Sequence, residues 1–398
     1  MKKNALSLSI SLLALGLSSA APTFAADQAD SLTAAIAGGD ATLSLRYRYE
    51  YVDADDGSRE AHASTLKTRI TYDTLSYQGL SARVEADNNT VVFDDNYNDA
   101  SGTDTDPEAK VADATYTEVN QAYLDYAAPA DTLVRYGRQR ILLDNQRFVG
   151  GVGWRQNEQT YDAFTVVNKS LPDTTITLSN IYNINTAKGG NVDGNDNQIY
   201  HLNNKSIKGL SLSTYFYDLK DISDTYGLRA NGKFAASDDL SILYTAEFAQ
   251  QETDNAAENE TDYLNIEAGL NVSGITAKLG YELQSSDDGA AAFKTPLGTN
   301  HKFNGWADQF LGTPADGLVD TSLTLSSKAL GPKIAVVYHQ FDADEGNTDY
   351  GSEIDILVAK KFTDNYSGLL KIADFSAGDT AGGKKDTTKV WVQLAAKF

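Results

Sequence analysis

Apolar and polar residues alternate along much of this chain. At its C-terminal end every second residue from Val390 to Phe398 is apolar, and Gln393 and Lys397 lie between them. Period-two alternation predicts a β-strand with one apolar and one polar face. Such a strand fits the wall of a transmembrane barrel, with lipid outside and water inside, or an edge strand of a soluble sandwich.

About eighteen segments of this kind are separated by turn residues, the first at 41–52 and the last at 388–398. Each has roughly the 9 to 11 residues that a tilted membrane strand needs. The short connections are 77–79, 128–130, 236–238, 273–274 and 330–332, and the long ones are 93–114, 143–158, 184–196, 253–261, 285–318 and 376–386. Because short and long connections alternate in outer-membrane barrels, we predict an all-β fold, an antiparallel transmembrane β-barrel of about 18 strands. The connection at 220–223 is too short for this scheme, which leaves 16 strands open.

Basic residues of the predicted strands share the polar face. An Arg or Lys on the lipid face near the bilayer centre would cost about 2 to 4 kcal/mol, so we expect these side chains to face the lumen. They are Arg46, Arg48, Lys67, Arg69, Arg83, Arg229, Lys233 and Lys278. A barrel of this size is too wide to be filled by its wall side chains, and a water-filled channel is expected. Alternatively, each cation serves only to pair with a carboxylate on a neighbouring strand.

The N-terminal residues have the layout of a secretory signal. Lys2 and Lys3 precede an apolar stretch at 5–17, and small residues follow up to Ala25. We therefore predict a signal peptide at 1–25 and a single outer-membrane barrel at 26–398 in a Gram-negative envelope. The chain contains no cysteine. No later apolar stretch approaches the roughly 20 residues of a membrane helix.

Composition and charge narrow the function further. The formal net charge is −22, and acidic residues crowd into the long connections, which argues against a nucleic-acid partner. The 22 tyrosines suit the aromatic girdles of a barrel. No metal-binding motif is present, and we predict no metal and no cofactor. A barrel-based outer-membrane enzyme, a phospholipase or protease, is the alternative function, but the four histidines are scattered and neither His-Glu-x-x-His nor Gly-x-Ser-x-Gly occurs.

Two segments contain clusters of charged, polar and aromatic residues that a barrel wall does not require. The first, 135–163, holds the arginines Arg135, Arg138, Arg140, Arg147 and Arg155, whose planar groups suit carboxylates. The second, 295–314, holds His301, Asn304, Trp306, Asp308 and Phe310. Its part at 304–311 predicts a short amphipathic helix with Trp306 and Phe310 on one face. Either the arginines contribute to ion selectivity, or Asp144, Glu158 and Asp162 neutralise them and hold the loop in place.

Both segments resemble the outer-membrane porins of the alginate-export family. The matching motifs are Gly137-Arg138-Gln139, Asn145-Gln146-Arg147-Phe148-Val149-Gly150, Trp154-Arg155-Gln156 and Phe303-Asn304-Gly305-Trp306-Ala307-Asp308. The resemblance implies that both extracellular loops fold inward and constrict a pore. It also implies a non-enzymatic channel, and we expect polar or anionic organic solutes, with uronates and alginate-type polysaccharide among the candidates.

The terminal Phe398 resembles the signal that the barrel assembly machinery reads. Outer-membrane lipid is the other expected partner, and a monomer is favoured because no long apolar strand face marks an interface.

Overall fold

The computed structural model describes residues 27–254, 258–379 and 382–398. The signal peptide predicted at 1–25 lies outside the described residues. The elements are α1 (Leu32–Ala37), β1 (Asp40–Ala54), β2 (Ala61–Asp73), β3 (Leu80–Asn96), β4 (Tyr116–Ala128), β5 (Thr132–Gln139), β6 (Thr160–Asn168), β7 (Thr174–Asn185), β8 (Asn191–Asn204), β9 (Leu210–Leu219), β10 (Ser223–Ala235), β11 (Leu240–Thr253), β12 (Glu260–Val272), β13 (Ile275–Gln284), β14 (Ser286–Asp287), β15 (Ala291–Ala292), a 3₁₀ turn (Asn300–Lys302), β16 (Leu318–Ser327), β17 (Lys333–Asp342), β18 (Asp349–Lys361), β19 (Tyr366–Ala377) and β20 (Thr387–Lys397).

Eighteen of the strands form one closed antiparallel barrel. Each of them pairs with its neighbours along the chain, and β1 pairs with both β2 and β20, which closes the sheet. The short strands β14 and β15 form a separate hairpin. The predicted count of eighteen is confirmed, because the connection at 220–222 is a genuine tight turn between β9 and β10, closed by a bond of 2.9 Å from the Ile222 amide to the Leu219 carbonyl.

Side chains alternate between the two faces of the wall, as the period-two pattern predicts. In β1, the side chains of Arg48 and Glu50 face the lumen and are only 1% and 0% exposed. Leu43 lies on the opposite face of the strand and is 38% exposed. Large apolar side chains elsewhere on the outer face, such as Leu228 and Leu279, are 59% and 64% exposed. This apolar outer surface is what hydrocarbon requires of a barrel wall. Within the described residues, no helix combines the length and hydropathy needed to cross a bilayer.

The two ends of the barrel differ in their connections. Tight turns join the strands at one end, where α1 also lies and the Tyr72 hydroxyl donates a hydrogen bond to the Ile36 carbonyl. The C-terminus is fixed at the same end, because Phe398 exchanges backbone hydrogen bonds of 2.9 and 3.1 Å with Leu43 and its ring packs edge-on against Tyr366. By the usual asymmetry of such barrels, this is the periplasmic end.

The largest hydrophobic clusters lie inside the barrel, where two long connections pack against the wall. We call residues 140–159, between β5 and β6, the first inner loop and residues 285–317, between β13 and β16, the second inner loop. Phe148 of the first loop contacts rings of Tyr215, Tyr263 and Phe293. Phe310 of the second loop packs on another part of the wall. Burial of these rings folds both loops into the lumen.

Candidate functional site: the constriction and the vestibule

Buried ion pairs fix the first inner loop to the wall. Arg140 contacts Glu85 of β3 and Glu158 at 2.5 Å each, and Arg155 contacts Glu50 of β1 at 3.1 Å. Arg155 is 8% exposed and Glu50 is fully buried. Since a buried charge is tolerated only when it is paired and hydrogen-bonded, these contacts determine where the loop can lie.

Hydrogen bonds to uncharged groups complete the attachment of this loop. Arg46 of β1 donates to the Gln156 side chain at 2.8 Å and to the Gly153 carbonyl at 3.0 Å. The Gln156 amide in turn donates to the Thr65 hydroxyl of β2 at 2.9 Å. Arg46 is therefore an inward-facing residue, as predicted, but its donors are occupied by the loop.

The second inner loop turns where a helix was predicted. The segment 304–311 is irregular and follows the 3₁₀ turn Asn300–Lys302. Asn304, Gly305 and Asp308 have positive φ values of 53°, 81° and 64°, which an α-helix cannot contain. The helix prediction is wrong for this reason, although Phe310 is buried against Phe341 at a ring distance of 4.5 Å.

The second loop is attached through charged and polar groups. Asp308 contacts Arg155 of the first loop at 3.0 Å and Lys389 of β20 at 2.8 Å. Glu353 of β18 accepts hydrogen bonds from the backbone amides of Trp306 and Ala307, the latter at 2.8 Å. Burial alone would raise the pKa of Asp308, but the hydrogen bond from His301 and the positive charges of Lys389 and Arg155 hold this pKa well below its usual range. Asp308 is thus an anionic junction between the two loops and the wall.

The two loops also bind each other. The Gly150 amide donates to the Leu297 carbonyl at 2.8 Å, and the Thr299 amide donates to the Gln146 carbonyl at 2.9 Å. Arg147 of the first loop is only 1% exposed and connects this loop to the second one. It contacts Glu282 of β13 at 2.7 Å and donates a hydrogen bond to the Asn304 side chain at 2.8 Å. The loops therefore form one connected assembly inside the lumen, which we call the constriction, and both predicted segments contribute to it.

One lysine that was not predicted lies at the centre of this constriction. The ammonium of Lys371 on β19 is 4.2 Å from the ring centre of Trp154, 3.9 Å from that of Trp306 and 5.2 Å from that of Trp391. These are all the tryptophans of the chain. Cation–π contacts of this kind are strongest when the cation is desolvated, and Lys371 is 5% exposed.

His301 connects Lys371 to Asp308. Its Nε2 lies 2.7 Å from the Lys371 ammonium and its Nδ1 lies 2.6 Å from Asp308. The imidazole stacks on Trp154 at 4.8 Å. Burial lowers the pKa of His301 to about 3; Asp308 opposes this shift and Lys371 adds to it. His301 is therefore neutral at ordinary pH in this arrangement.

A dense ion network covers the wall at β2 and β3. Lys67 contacts Asp87 at 2.9 Å, Arg69 contacts Asp87 at 2.6 Å, and Arg69 contacts Glu158 at 3.0 Å. Arg48 lies 4.2 Å from the centre of the Trp154 ring and donates to Gln393 at 2.8 Å. These predicted inward cations do face the lumen, but they bind carboxylates and the first inner loop.

The remaining predicted cations lie closer to the periplasmic end. Arg83 pairs with Asp73 at 2.6 Å, Arg135 with Asp125 at 2.7 Å, and Lys278 with Glu267 at 2.7 Å. Arg229 pairs with the buried Glu247. Lys233 is on the same face of β10 as Arg229.

Arg138 is not a lumenal residue. It is cross-strand to Asp162, and its neighbour Tyr136 is cross-strand to Phe164 on the outer face. Arg138 pairs with Asp162 at 2.8 Å and donates to the Val119 carbonyl at 3.0 Å. The prediction placed it in the pore with Arg135, but the odd spacing of three residues puts the two side chains on opposite faces of β5. Arg138 and Asp162 therefore form a structural pair on the outside of the wall.

Below the constriction lies an open space of about 540 Å³, which we call the vestibule. It is enclosed by inward side chains of β5 to β10 and by the start of the first inner loop. Its cationic lining residues are Arg135, Arg140, Lys169, Lys205 and Arg229. Among the described residues that line it, Asp144 is the one carboxylate, and Asp144 is bonded to His201 at 2.8 Å. The walls of the vestibule thus present an excess of positive charge.

Several site residues were missed by the sequence analysis. Lys371, Lys389 and Glu353 belong to strands that were predicted, and the alternation of β18, β19 and β20 places them inward. The alternation of apolar and polar residues in these strands therefore predicts their inward position. The alternation does not predict their contacts with loop residues more than 40 positions away along the chain.

Comparison with known proteins agrees with this architecture. Solved structures with the same fold include OccAB4 of Acinetobacter baumannii, with a TM-score of 0.71 at 13% identity, covering 90% of this chain and 98% of that one. OccK9 (OpdG) of Pseudomonas aeruginosa gives a TM-score of 0.73 at 13% identity, covering 92% and 100%. OccD3 (OpdP) of the same organism gives 0.69 at 15% identity, covering 92% and 93%. At these identities the likeness shows the fold alone.

The sequence itself matches a protein family. No curated protein sequence matches the chain. The family model for alginate export matches residues 40–287, which is more than half of the chain and includes the whole first inner loop. The chain therefore belongs to the alginate export family and is an outer-membrane porin, a channel protein and not an enzyme.

Proposed function

We propose that this porin carries small anionic organic solutes, of which uronates are the representative chemistry, by passive diffusion across the outer membrane. The observation that carries this proposal is the charge of the vestibule, where Lys205 and Arg229 are among five cationic residues that face one histidine-bonded carboxylate. Rings of charged side chains determine which ions a pore favours.

The carboxylate partners of three of these cations lie behind the lining. Arg135 binds Asp125, Arg140 binds Glu85 and Glu158, and Arg229 binds Glu247, and within the described chain none of these four acids lines the vestibule. Lys205 is exposed, and no described side chain forms an ion pair with it. A solute in the vestibule therefore meets the cations first.

A cation of the constriction extends this surface. The Lys302 ammonium donates to the Asn145 carbonyl at 2.8 Å, and Asn145 lines the vestibule. Burial lowers the pKa of Lys302 to about 8, and the positive charge of Arg229 adds to this shift. One unit charge about 4 Å from a passing carboxylate is worth roughly 1 to 4 kcal/mol, depending on the local dielectric, which is enough to set selectivity.

The size of the vestibule favours small solutes. Its volume of about 540 Å³ lies within the range of sites that hold small molecules. The inner loops bind each other and the wall through buried contacts inside the lumen, which also favours small solutes over a polysaccharide chain. Alginate-type polymer therefore remains a second candidate, supported by the family and not by the dimensions of the vestibule.

The decisive experiment is a reversal-potential measurement on the purified porin in a planar bilayer under a salt gradient. The wild-type channel should favour anions, and Lys205→Glu should shift the reversal potential toward cations. Lys328→Glu is the matched control, because Lys328 is exposed at the same end of the barrel and does not line the vestibule. In vesicle-swelling assays, a monouronate should enter faster than a neutral hexose of the same size. A cation-selective wild-type channel would contradict the proposal.

A further inference from the structure

Lys371 joins both inner loops to the wall at a single point. Trp154 belongs to the first loop, Trp306 and His301 to the second, and Trp391 to the wall strand β20. Any displacement of either loop toward an open pore removes at least one indole ring from the Lys371 ammonium. The arrangement around Lys371 therefore exists in full only while the pore is constricted.

The hydrogen bonds of His301 require one particular protonation state. An ammonium group has only donors, so the contact of 2.7 Å makes His301 Nε2 an acceptor from Lys371. The contact of 2.6 Å on the other side then assigns the single ring proton to Nδ1, which donates to Asp308. A second ring proton would sit on Nε2 and point at the Lys371 ammonium.

Charged groups reach this imidazole from several elements. Asp308 lies on its own loop and Lys371 on β19, while Arg155 of the first loop and Lys389 of β20 both bind Asp308. The carboxylates of Glu353 and Asp355 on β18, together with Arg48 of β1, act on Lys371. Arg48 and His301 both contact the Trp154 ring. His301 therefore cannot gain a proton here without placing a new cation beside Lys371.

We propose that His301 is a proton-operated latch: neutral His301 holds the inner loops on Lys371 and keeps the pore constricted, and protonated His301 releases them. The proposal rests on the proposed channel function and adds its regulation. Protonation places two cations against each other, and the loops relieve this repulsion by moving away from Lys371. Acid therefore opens the pore.

The direction of the pH dependence follows from linkage. In the constricted state the pKa of His301 is held at about 3, whereas an imidazole released into water returns to about 6.5. The constricted form binds the proton less well than the open form. Its stability relative to the open form is therefore greatest above about pH 6.5 and decreases as the pH falls below that value. Between about pH 7.5 and pH 4.5 the ratio of open to constricted channels should rise by up to about 90-fold.

The test compares the wild-type porin with His301→Gln in planar bilayers. Glutamine can accept from Lys371 and donate to Asp308 but does not ionise in this range. Wild-type conductance should rise on acidification, and the His301→Gln channel should stay constricted at both pH values. His62→Gln is the matched control, because His62 faces outward beside Tyr49 and takes no part in the constriction. It should retain the wild-type pH response.

A second variant and an optical signal keep the test independent of one substitution. Lys371→Gln removes the ammonium that protonated His301 would meet, so conductance should be raised at neutral pH and should no longer depend on acid. All three tryptophans lie at the latch, so their emission reports its state. Acid should increase their quenching by acrylamide in the wild type and not in His301→Gln. Heat-modifiable gel mobility establishes that each variant is folded.

The outcomes separate the latch from the proposed solute. If His301→Gln keeps the acid response, another titratable group of this cluster, such as Glu353, Asp355 or Lys371, carries it and the latch is refuted. The latch is equally refuted by a wild-type conductance that does not change between the two pH values. Reversal potentials are recorded on the same channels, so cation selectivity would overturn the proposed function while an acid response that His301→Gln abolishes would still establish the latch.

Discussion

Replacing Arg155 by Met should destabilise the barrel and loosen the constriction. Arg155 contacts Glu50 at 3.1 Å and Asp308 at 3.0 Å, and all three side chains are less than a tenth exposed. Methionine keeps much of the volume but leaves Glu50 buried without its partner, whereas Asp308 keeps Lys389 at 2.8 Å. Removal of one member of a buried ion pair costs about 3 to 5 kcal/mol. The free energy of unfolding should fall by about this amount, and single-channel conductance should rise because the first inner loop loses its attachment to β1.

The measurement is equilibrium urea unfolding of the porin in lipid vesicles, followed by tryptophan emission. Arg59→Met is the matched control, because Arg59 also binds a carboxylate, Glu108 at 2.5 Å, but is 69% exposed, and an exposed pair contributes at most about 1 kcal/mol. Adding Glu50→Gln to Arg155→Met should restore about 1 to 3 kcal/mol, since no uncompensated charge then remains at that position. If Arg155→Met costs no more than the control, and Glu50→Gln restores nothing, buried pairing is not what holds the loop.

Three further outcomes follow from the structure and from the sequence. Deleting 304–311 should raise single-channel conductance, because it removes the Asp308 junction and the backbone amides that bind Glu353; an unchanged conductance would show that the first loop alone limits the pore. Deleting Phe398 removes its two backbone bonds to Leu43 and should lower the assembled fraction in heat-modifiable gels without changing synthesis, whereas normal assembly would make this residue ordinary wall. Mass spectrometry of the outer-membrane fraction should find a mature chain beginning near Ala26 and no peptide containing Lys2, and recovery of that chain from the soluble periplasm would contradict the predicted export route.

Strand positions could be read from the sequence because the pleat is a local property. Every predicted segment from 41–52 to 388–398 overlaps a strand of the barrel, and the alternation predicts the face on which Arg48 is buried. The same rule applied strictly would also have placed Arg138 outside, since it is three residues from Arg135. Arg138 and Arg135 are close along the chain, but only an even spacing places two side chains of a strand on the same face.

Loop conformation could not be read in the same way. The apolar spacing at 304–311 is compatible with a helix, but left-handed backbone at Asn304, Gly305 and Asp308 turns the chain instead. These conformations are stabilised by contacts with other parts of the barrel, such as the bond from Arg147 to Asn304. Local propensity is a weak signal where tertiary contacts of this strength are available.

The sequence by itself determined the strands and the faces they present, because periodicity and composition act over neighbouring residues. The inward folding of the two loop segments was implied only by their resemblance to the alginate-export porins. Only the tertiary structure decided which charges meet. Asp144, Glu158 and Asp162 were the nearby acids considered for the arginines, and Glu158 and Asp162 do bind Arg140 and Arg138, but Arg155 binds Glu50 and Asp308, which are 105 and 153 positions away. Barrel closure brings distant strands to one lumen, and burial there requires every charge to find a partner at short range whatever its distance along the chain.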